Sequence, residues 1–439
     1  MAEQRCCVQR SPQAEQMKIV LATFGSRGDV QPMLALSLAL QSAGHRVLLA
    51  APPEKEEWAR QLGCPFQPLG DDITAFIDTM RDAHSIRSAV YCTRYLRREF
   101  ISQFQIFPKI IAGADLVVGA SLVGALSSVA ESMGIPYRFV AFSPSMLPSS
   151  YHPSPVCKHQ GFTKYYNRMT WRIGTIFNRF SLTALVNEGR KELGIKPIKD
   201  AWRNILGNRV IVASDKAIST VPPDVEPAVA QTGYLHLDQP DVHLDKLEAF
   251  LKAGPPPVYA GFGSMPKKVQ IDIVSNIVQA ARSAGSRVVI AKFWEEPSEF
   301  SRAEDVFFIT KYPHLKLFPR MVGVIHHGGA GTTAASAASG VPQIIVPHIL
   351  DQYYWGHQVY RSNLGPKPIW RHRINAKSLS GAIREILSND SIRQNAKEVA
   401  RKINRHDSLE MAVREVLKEE PENSSILPRT RLRNPHRHI

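Results

Sequence analysis

The chain has 439 residues, 44% of them hydrophobic, and a formal net charge of +15 at pH 7. This length is sufficient for two globular domains with buried cores. No run of 18 or more apolar residues is present, which excludes a transmembrane helix on sequence grounds. The polar residues 1–16 lack the apolar centre of a secretory signal, so we expect a disordered leader, with Met17 as an alternative start.

Apolar runs alternate with helical patterns along the chain, which predicts parallel, doubly wound α/β sheets. In the first half, the predicted elements are strand 18–23, helix 32–43, strand 46–51, a helix ending at 62, strand 115–119, helix 122–133 and strand 136–142. In the second half, they are strand 257–262, helix 268–284, strands 287–291, 306–310, 323–326 and 343–346, and a final helical stretch over 390–420.

The two halves follow one plan, because residues 20–26 and 258–264 each read as a strand that ends in Phe-Gly-Ser. We therefore expect an N-terminal domain over 17–235 and a C-terminal domain over 257–420. The Pro- and Gly-rich stretch 236–256 is the predicted linker.

The five cysteines are irregularly spaced, which predicts reduced thiols and no metal site, as in a cytoplasmic protein. Positive charge collects in the tail 421–439, expected to be disordered, and in 158–191, where basic and aromatic residues alternate. That second segment is compatible with peripheral attachment of the protein to an anionic membrane surface. The interpretation that we favour from sequence is a solvated helix face whose aromatic side chains pack inward. No recognition motif accompanies the charge, so nucleic-acid binding is not expected.

A glycine-rich loop follows the predicted strand 323–326 and precedes an alanine-rich helical run. Its members are Gly328, Gly329, Ala330, Gly331, Thr332 and Thr333. Such a loop brings free backbone N–H groups and the positive end of a helix dipole to one point, where they can hold a phosphate. A second motif, Gly25-Ser26-Arg27-Gly28-Asp29, follows the first strand.

Together the two motifs resemble the UDP-glycosyltransferase superfamily (glycosyltransferase family 1), in the branch of the sterol and glycopeptide-antibiotic glucosyltransferases. Pro313-His314 and Asp351-Gln352 match that pattern in the same order, whereas Lys316 stands where relatives often have tryptophan. The resemblance covers about residues 17–418. It implies the GT-B fold: two Rossmann-like, doubly wound parallel-sheet domains facing across a cleft, with the final helix crossing back.

The resemblance also implies an activity: inverting transfer of a hexose, by default glucose, from a UDP-sugar to a hydroxyl group of a lipophilic small molecule such as a sterol, terpenoid or polyketide. No cofactor is expected besides the UDP-sugar co-substrate. An Asp-x-Asp pair, on which many glycosyltransferases hold a metal ion, is absent from the sequence. We therefore predict metal-independent transfer, in which amides and a helix dipole replace the cation.

The donor-binding residues implied by the resemblance are Ser264, His326, Gly328, Gly329, Ala330, Gly331, Thr332, Thr333, Asp351 and Gln352. His326 would donate to a phosphate oxygen; alternatively it is a structural histidine locked in one tautomer. Asp351 and Gln352 would contact sugar hydroxyls, although Asp351 could instead cap a helix. The nucleotide base is expected near Tyr312, Pro313 and His314. A ring from Tyr312 or Phe308 would lie beside it, unless both are core residues.

The resemblance makes Asp29 the predicted catalytic base, because it matches the family's aspartate; a carboxylate at the carboxyl end of the first strand can take the proton of the acceptor hydroxyl. The competing interpretation is a first-turn helix acid that stabilises the dipole by roughly 0.3–1 kcal/mol. Ser26, Arg27 and Gly28 form the predicted acceptor loop. The sequence leaves open whether Arg27 holds the acceptor or the interdomain loop.

The acceptor pocket is expected in the first domain, around 74–107 and 144–180. Its candidate apolar residues, each of which could also belong to the core, are Phe76, Tyr91, Tyr95, Phe104, Met146 and Tyr151. Two other functions compete with glycosyl transfer. A non-catalytic relative that assists another transferase is opposed by intact Asp29, His326 and Asp351. A NAD-dependent oxidoreductase is opposed by the lack of Gly-x-Gly-x-x-Gly after any strand.

Overall fold

A computed structural model describes residues 16–73, 86–226, 228–240, 242–262, 267–291, 300, 303–310 and 312–419. Ser264, Phe76, the leader up to residue 15 and the tail lie outside the described residues.

Two parallel sheets organise the chain, one in each half. The first has seven strands in the order β3-β2-β1-β4-β5-β6-β7, namely β1 (Lys18–Phe24), β2 (Arg46–Ala51), β3 (Phe66–Pro68), β4 (Leu116–Ser121), β5 (Tyr137–Ala141), β6 (Arg209–Val212) and β7 (Ala228–Gln231). The second has five strands in the order β10-β9-β8-β11-β12, namely β8 (Val258–Gly261), β9 (Val288–Ala291), β10 (Val306–Ile309), β11 (Gly323–His326) and β12 (Gln343–Ile345).

Helices cover both faces of each sheet. In the first half they are α1 (Arg27–Ser42), α2 (Glu56–Gln61), α3 (Ile86–Ile110), α4 (Leu126–Ser132), α5 (Lys164–Phe180), α6 (Leu182–Glu192) and α7 (Ala201–Leu206). In the second they are α8 (Asp245–Lys252), α9 (Lys267–Ser283), α10 (His314–Leu317), α11 (Ala330–Ala338), α12 (Asp351–Arg361), α13 (Ala376–Ser388), α14 (Asp390–Lys402) and α15 (Arg405–Leu417).

Strand β1 shows why these sheets are covered on both sides. Its residues are apolar almost without interruption, and successive side chains enter opposite cores: Ile19 and Leu21 join one cluster, Val20 and Ala22 the other. A strand buried on both faces reads as a continuous apolar run, as parallel strands between helix layers do. The predicted GT-B architecture, with two such domains, is confirmed.

Helix α1 begins five residues earlier than predicted, at Arg27 rather than position 32. The cause is a capping box. The Ser26 side chain accepts from backbone N–H groups of the first turn, and the Asp29 carboxylate accepts from the Ser26 N–H. Pro32 therefore lies inside the helix.

The final helical stretch crosses back onto the first domain, as predicted, although it consists of two helices rather than one. Asn404 caps the second, α15, which packs against α1. At its end Arg209 Nη2 lies 3.1 Å from Glu415 Oε2, and Arg138 Nη2 donates to the Lys418 carbonyl over 3.0 Å.

Helix α5 exposes all of its aromatic residues except the partly buried Trp171, so the interpretation in which they pack inward is wrong for most of them. Phe177 and Phe180 are 71% and 80% exposed, whereas the polar Asn167 is the buried residue of the helix. Within the described ranges, no helix combines the length and the apolar composition needed to cross a bilayer.

Candidate donor and catalytic site

The glycine-rich loop between β11 and α11 is shaped by Gly328, whose φ of +87° lies in the left-handed region that favours glycine. A Cβ at this position would lie 2.8 Å from Ile345 Cγ2 and 3.1 Å from the Gln352 carbonyl oxygen. The loop is therefore clamped between β12 and α12, and its backbone direction into α11 is fixed.

The amino end of α11 is open toward the cleft. Gly329 is the N-cap and no side chain caps the helix, so the N–H groups of Ala330, Gly331 and Thr332 have no acceptor within the helix. These three residues are partly exposed, whereas Thr333 is buried and its hydroxyl donates to the Gly329 carbonyl over 3.0 Å. The first three amides and the helix dipole are what this loop offers to an anion.

His326 is fully buried and both of its ring nitrogens have protein partners. Nδ1 accepts from the Gly328 N–H over 3.1 Å, so the proton is on Nε2, which donates to Gln343 Oε1 over 3.0 Å. Burial lowers the pKa of His326 to about 4, which keeps the ring neutral. These two bonds fit the alternative given in the sequence analysis, in which His326 is a structural histidine locked in one tautomer. Contact with phosphate would require one of these bonds to break on donor binding, and it stays a prediction.

Asp29 lies at the first turn of α1, where its carboxylate receives hydrogen bonds from two serines. Oδ2 accepts from the Ser26 N–H over 2.7 Å and from the Ser26 hydroxyl over 3.0 Å. Oδ1 accepts from the Ser121 hydroxyl over 2.5 Å. Burial raises the pKa of Asp29 although these bonds lower it, so the carboxylate is a stronger base than an exposed aspartate.

The structure confirms the first-turn position of Asp29, whereas its role as catalytic base stays a prediction. Sequence reasoning missed Ser121, which ends β4 and pairs in register with Phe24 of β1. Its φ of 59° is unusual for a residue with a side chain, and strain of this kind concentrates at functional sites. Only knowledge that β4 adjoins β1 would have pointed to it.

Asp351 is the first residue of α12, and the N-cap is Leu350, so the capping alternative for Asp351 is wrong. Burial, together with the negative charge of Asp29, raises the pKa of Asp351 to about 7. Asp29 belongs to the first domain and Asp351 to the second. The two carboxylates therefore lie within electrostatic range of each other across the domain boundary.

Gln352 binds its own loop through one end of its amide. Oε1 accepts from the backbone N–H groups of His348 and Ile349 over 2.8 and 3.1 Å. This fixes the side chain and leaves Nε2 as the end with which it could donate to a sugar hydroxyl.

We expect Asp351→Asn to raise the melting temperature at pH 8 and to change it little at pH 4. The folded protein holds a proton on Asp351 up to a pKa of about 7, whereas the unfolded chain releases it near the ordinary value of 3.8. Stability is therefore lost as pH rises through this window, and asparagine removes that loss. Thermal unfolding at both pH values tests this prediction. Each kcal/mol of unfolding free energy that the variant gains should raise its melting temperature by about 2–4 °C.

The control is Asp245→Asn, an exposed first-turn acid of α8. A gain that is equal at both pH values, or equal in the control, would contradict the assignment to Asp351.

Arg27 extends from the first domain toward the second. Its guanidinium carbon lies 5.0 Å from the centroid of the Trp58 ring, and Nη2 donates to Gln239 Oε1 over 3.5 Å. Burial, together with the positive charge of Arg27, lowers the pKa of His314 to about 3. Among the described residues no carboxylate forms an ion pair with Arg27. Its charge is therefore directed at the interdomain region. Of the two roles that the sequence left open, this favours holding the interdomain loop over holding the acceptor.

Tyr234 is a second residue that sequence reasoning missed. It follows β7 and is buried, and a Cβ on Gly331 would lie 2.7 Å from its hydroxyl oxygen. Burial raises the pKa of Tyr234 well above its ordinary value, and the charges of Asp29 and Asp215 raise it further. Tyr234 thus touches the glycine-rich loop and lies within electrostatic reach of Asp29.

The predicted base region is compact. The His314 ring stacks on Phe318 with centroids 4.5 Å apart, and its Nε2 lies 3.4 Å from the Tyr259 hydroxyl. Pro313 is the N-cap of α10. Tyr312 and Phe308 are partly buried against two different core clusters, so each keeps only part of its ring accessible.

The acceptor candidates divide into two groups. Tyr95 and Phe104 are core residues, and Phe104 packs onto the backbone of Gly189, so neither is available as a pocket wall. Tyr91 and Tyr151 are exposed. Tyr151 borders a cavity of about 220 Å³ whose other lining residues are His152, Gln160, Gly161, Phe162, His357, Gln358 and Arg361.

Two family models match the chain. The glycosyltransferase family 28 N-terminal domain matches residues 19–151, and the erythromycin biosynthesis protein CIII-like C-terminal domain matches residues 280–416. These spans contain the Asp29 loop and the glycine-rich loop respectively.

Relatives with assigned activities match over most of the chain. It is 34% identical to the vancomycin aglycone glucosyltransferase of Amycolatopsis orientalis, over 80% of this chain and 85% of that protein. It is 29% identical to a sterol 3-beta-glucosyltransferase of Arabidopsis thaliana, over 92% of this chain and 66% of the relative. Among solved structures, the calicheamicin glycosyltransferase CalG4 superposes with a TM-score of 0.69 at 16% identity, covering 92% of this chain and 98% of that one.

Proposed function

The chain belongs to the glycosyltransferases of the GT-B fold, and on that premise we propose that it moves a hexose, glucose first, from a UDP-sugar to a hydroxyl group of a lipophilic small molecule. The single observation that carries the proposal is the placement of two partly buried carboxylates from opposite domains, Asp29 beside the end of β4 and Asp351 at the start of α12, within electrostatic range of each other. The chemistry needs one carboxylate at the acceptor and one at the sugar.

In the proposed reaction the acceptor oxygen attacks the anomeric carbon while Asp29 takes the hydroxyl proton. The bond from the anomeric carbon to the diphosphate oxygen breaks on the opposite side, so an α-linked donor gives a β-linked product. The raised pKa of Asp29 supports this role, because a base works best when its pKa approaches the working pH. Ser26 and Ser121 hold the carboxylate in place.

The departing UDP gains negative charge, and fixed donors aimed at that charge lower the barrier. The three open amides of α11 are such donors. Arg27, with no carboxylate in the described chain to neutralise it, supplies a positive charge from the opposite domain. These groups support the proposal that transfer proceeds without a metal ion.

The acceptor class is proposed from the relatives and from the first domain. The names of two relatives specify a vancomycin aglycone and a sterol as their acceptors. Accessible aromatic residues such as Tyr91 and Tyr151 suit a hydrophobic acceptor.

The test is an assay in EDTA with UDP-glucose and other UDP- and dTDP-sugars against a panel of sterols, terpenoid alcohols and polyketide aglycones. We expect a β-glycoside product and no gain when Mg²⁺ or Mn²⁺ is added. Product that forms only after metal is restored would contradict metal independence. An α-linked product would contradict the inverting mechanism, and turnover only with dTDP-sugars would contradict the donor assignment.

A further inference from the structure

We propose that helix α5 is a membrane-docking element, which places its exposed apolar face in the headgroup region of a bilayer containing anionic lipids. This inference goes beyond glycosyl transfer and does not depend on it, because it stands on the surface of the first domain alone.

The apolar residues of α5 share one face. With 3.6 residues per turn, positions spaced three and four apart lie above one another, and the apolar side chains of α5 follow this spacing. They are Tyr165, Tyr166, Met169, Ile173, Ile176, Phe177 and Phe180. All except Met169, which is partly buried, are exposed; Ile176 is 60%, Phe177 71% and Phe180 80% exposed. A contiguous face of this kind is unusual on a soluble surface and marks an interaction site.

The opposite, polar side of α5 holds the helix to the protein. Asn167 Nδ2 donates to the Ser150 carbonyl over 2.9 Å, and Trp171 Nε1 donates to the His152 carbonyl over 3.1 Å. These bonds fix which face points outward. The helix is thus inverted relative to an ordinary surface helix, whose apolar side meets the core.

The charge around this face is uniformly positive. From Tyr151 to Asn187 no acidic residue occurs, and the basic residues up to Phe180 are Lys158, Lys164, Arg168, Arg172 and Arg179. The last four belong to α5, all are exposed, and they lie on one flank of the apolar face. An apolar face bordered by lysine and arginine is the pattern of helices that lie in a membrane interface.

Charge decides between a membrane and a second copy of the chain. A two-fold symmetric contact places the same patch against itself, so these basic flanks would repel one another. Anionic headgroups complement them, and each basic residue near such a surface contributes about 1 kcal/mol, equal to about a fivefold change in binding. Tyrosine rings also favour the interface, where one end is apolar and the other wet.

The test is co-sedimentation of the full chain with vesicles of phosphatidylcholine, with and without phosphatidylserine. We expect binding to the anionic vesicles. The triple variant Ile176→Ser/Phe177→Ser/Phe180→Ser should bind these vesicles at least about tenfold more weakly. It lacks three apolar side chains whose transfer from water into the bilayer would favour binding. Arg172→Gln/Arg179→Gln should weaken binding to anionic vesicles by about fivefold per residue and leave binding to neutral vesicles unchanged.

Matched controls exist in the same domain. Met133→Ser removes an exposed apolar side chain elsewhere, and Lys196→Gln/Lys199→Gln removes two exposed positive charges. Both should bind vesicles as the unmodified chain does, and circular dichroism should show all variants folded. Equal binding by the triple variant would overturn the proposal. The proposal would also be overturned if neither the unmodified chain nor the triple variant bound vesicles, while sedimentation velocity showed the unmodified chain as an oligomer and the triple variant as a monomer.

Discussion

Replacing Asp29 with asparagine should lower kcat/KM by about 10²- to 10⁴-fold, the contribution typical of a positioned general base. Asparagine has the same shape: its single oxygen can still accept from the Ser26 N–H and its NH2 group can donate to the Ser121 hydroxyl oxygen, but it cannot take a proton. The affinity for UDP should stay nearly constant, because the donor loop lies in the other domain. The measurement is initial-rate kinetics beside UDP binding by calorimetry.

The control separates catalysis from helix capping. Ser26→Ala removes the hydroxyl half of the capping box and should cost about 1 kcal/mol of stability, while the Ser26 N–H and the Ser121 hydroxyl still hold the Asp29 carboxylate. We expect it to lose less than a tenth as much activity as Asp29→Asn. Similar losses in the two variants would mean that Asp29 acts through the fold, and equal turnover by Asp29→Asn and the unmodified enzyme would remove it from the mechanism.

Gly331→Ala should weaken UDP binding by about 5- to 150-fold, the equivalent of the 1–3 kcal/mol typical of overpacking. The added methyl group would lie 2.7 Å from the Tyr234 hydroxyl oxygen, so either the tyrosine or the amino end of α11 must move. The distance from that methyl group to the Tyr234 ring carbon that bears the hydroxyl is 3.4 Å, an ordinary contact.

The double variant Gly331→Ala/Tyr234→Phe should therefore recover most of the lost affinity, because it removes only the oxygen that clashes. Calorimetric titration of UDP into the two single variants and the double variant gives the coupling between the positions. Additive losses, with no recovery in the double variant, would show that the hydroxyl does not limit the space at Gly331.

The fold was predictable because its signals are local. Apolar runs such as β1 and the glycines that close α1, α2 and α4 (Gly44, Gly63 and Gly134) are visible in the sequence, and the alternation of strands and helices restricts the sheets to parallel ones. The start of α1 was missed because the capping box at Ser26 and Asp29 is stronger than the usual preference for proline at the first turn.

The site was predictable only where it is contiguous in sequence. The loops around Asp29 and Gly329 are motifs, whereas Ser121 and Tyr234 reach the site through strand order and through the segment after β7. His326 shows a second limit, because its partner Gln343 is 17 positions away on the neighbouring strand. The sequence also could not show whether the apolar face of α5 is buried or exposed. An amphipathic pattern indicates which residues share a face, but not what that face packs against.

The capping role of Asp29 has a consequence for how this enzyme family diverges. A descendant that abandons sugar transfer would still need a first-turn acid to begin α1, so selection for folding alone would preserve the aspartate. Ser121 caps no helix in the described structure. Its backbone is in the left-handed region, which favours glycine or asparagine, so we expect these residues to replace Ser121 once its hydroxyl is no longer needed. In an alignment, position 121 should therefore distinguish active glycosyltransferases from inactive relatives better than position 29, the proposed base.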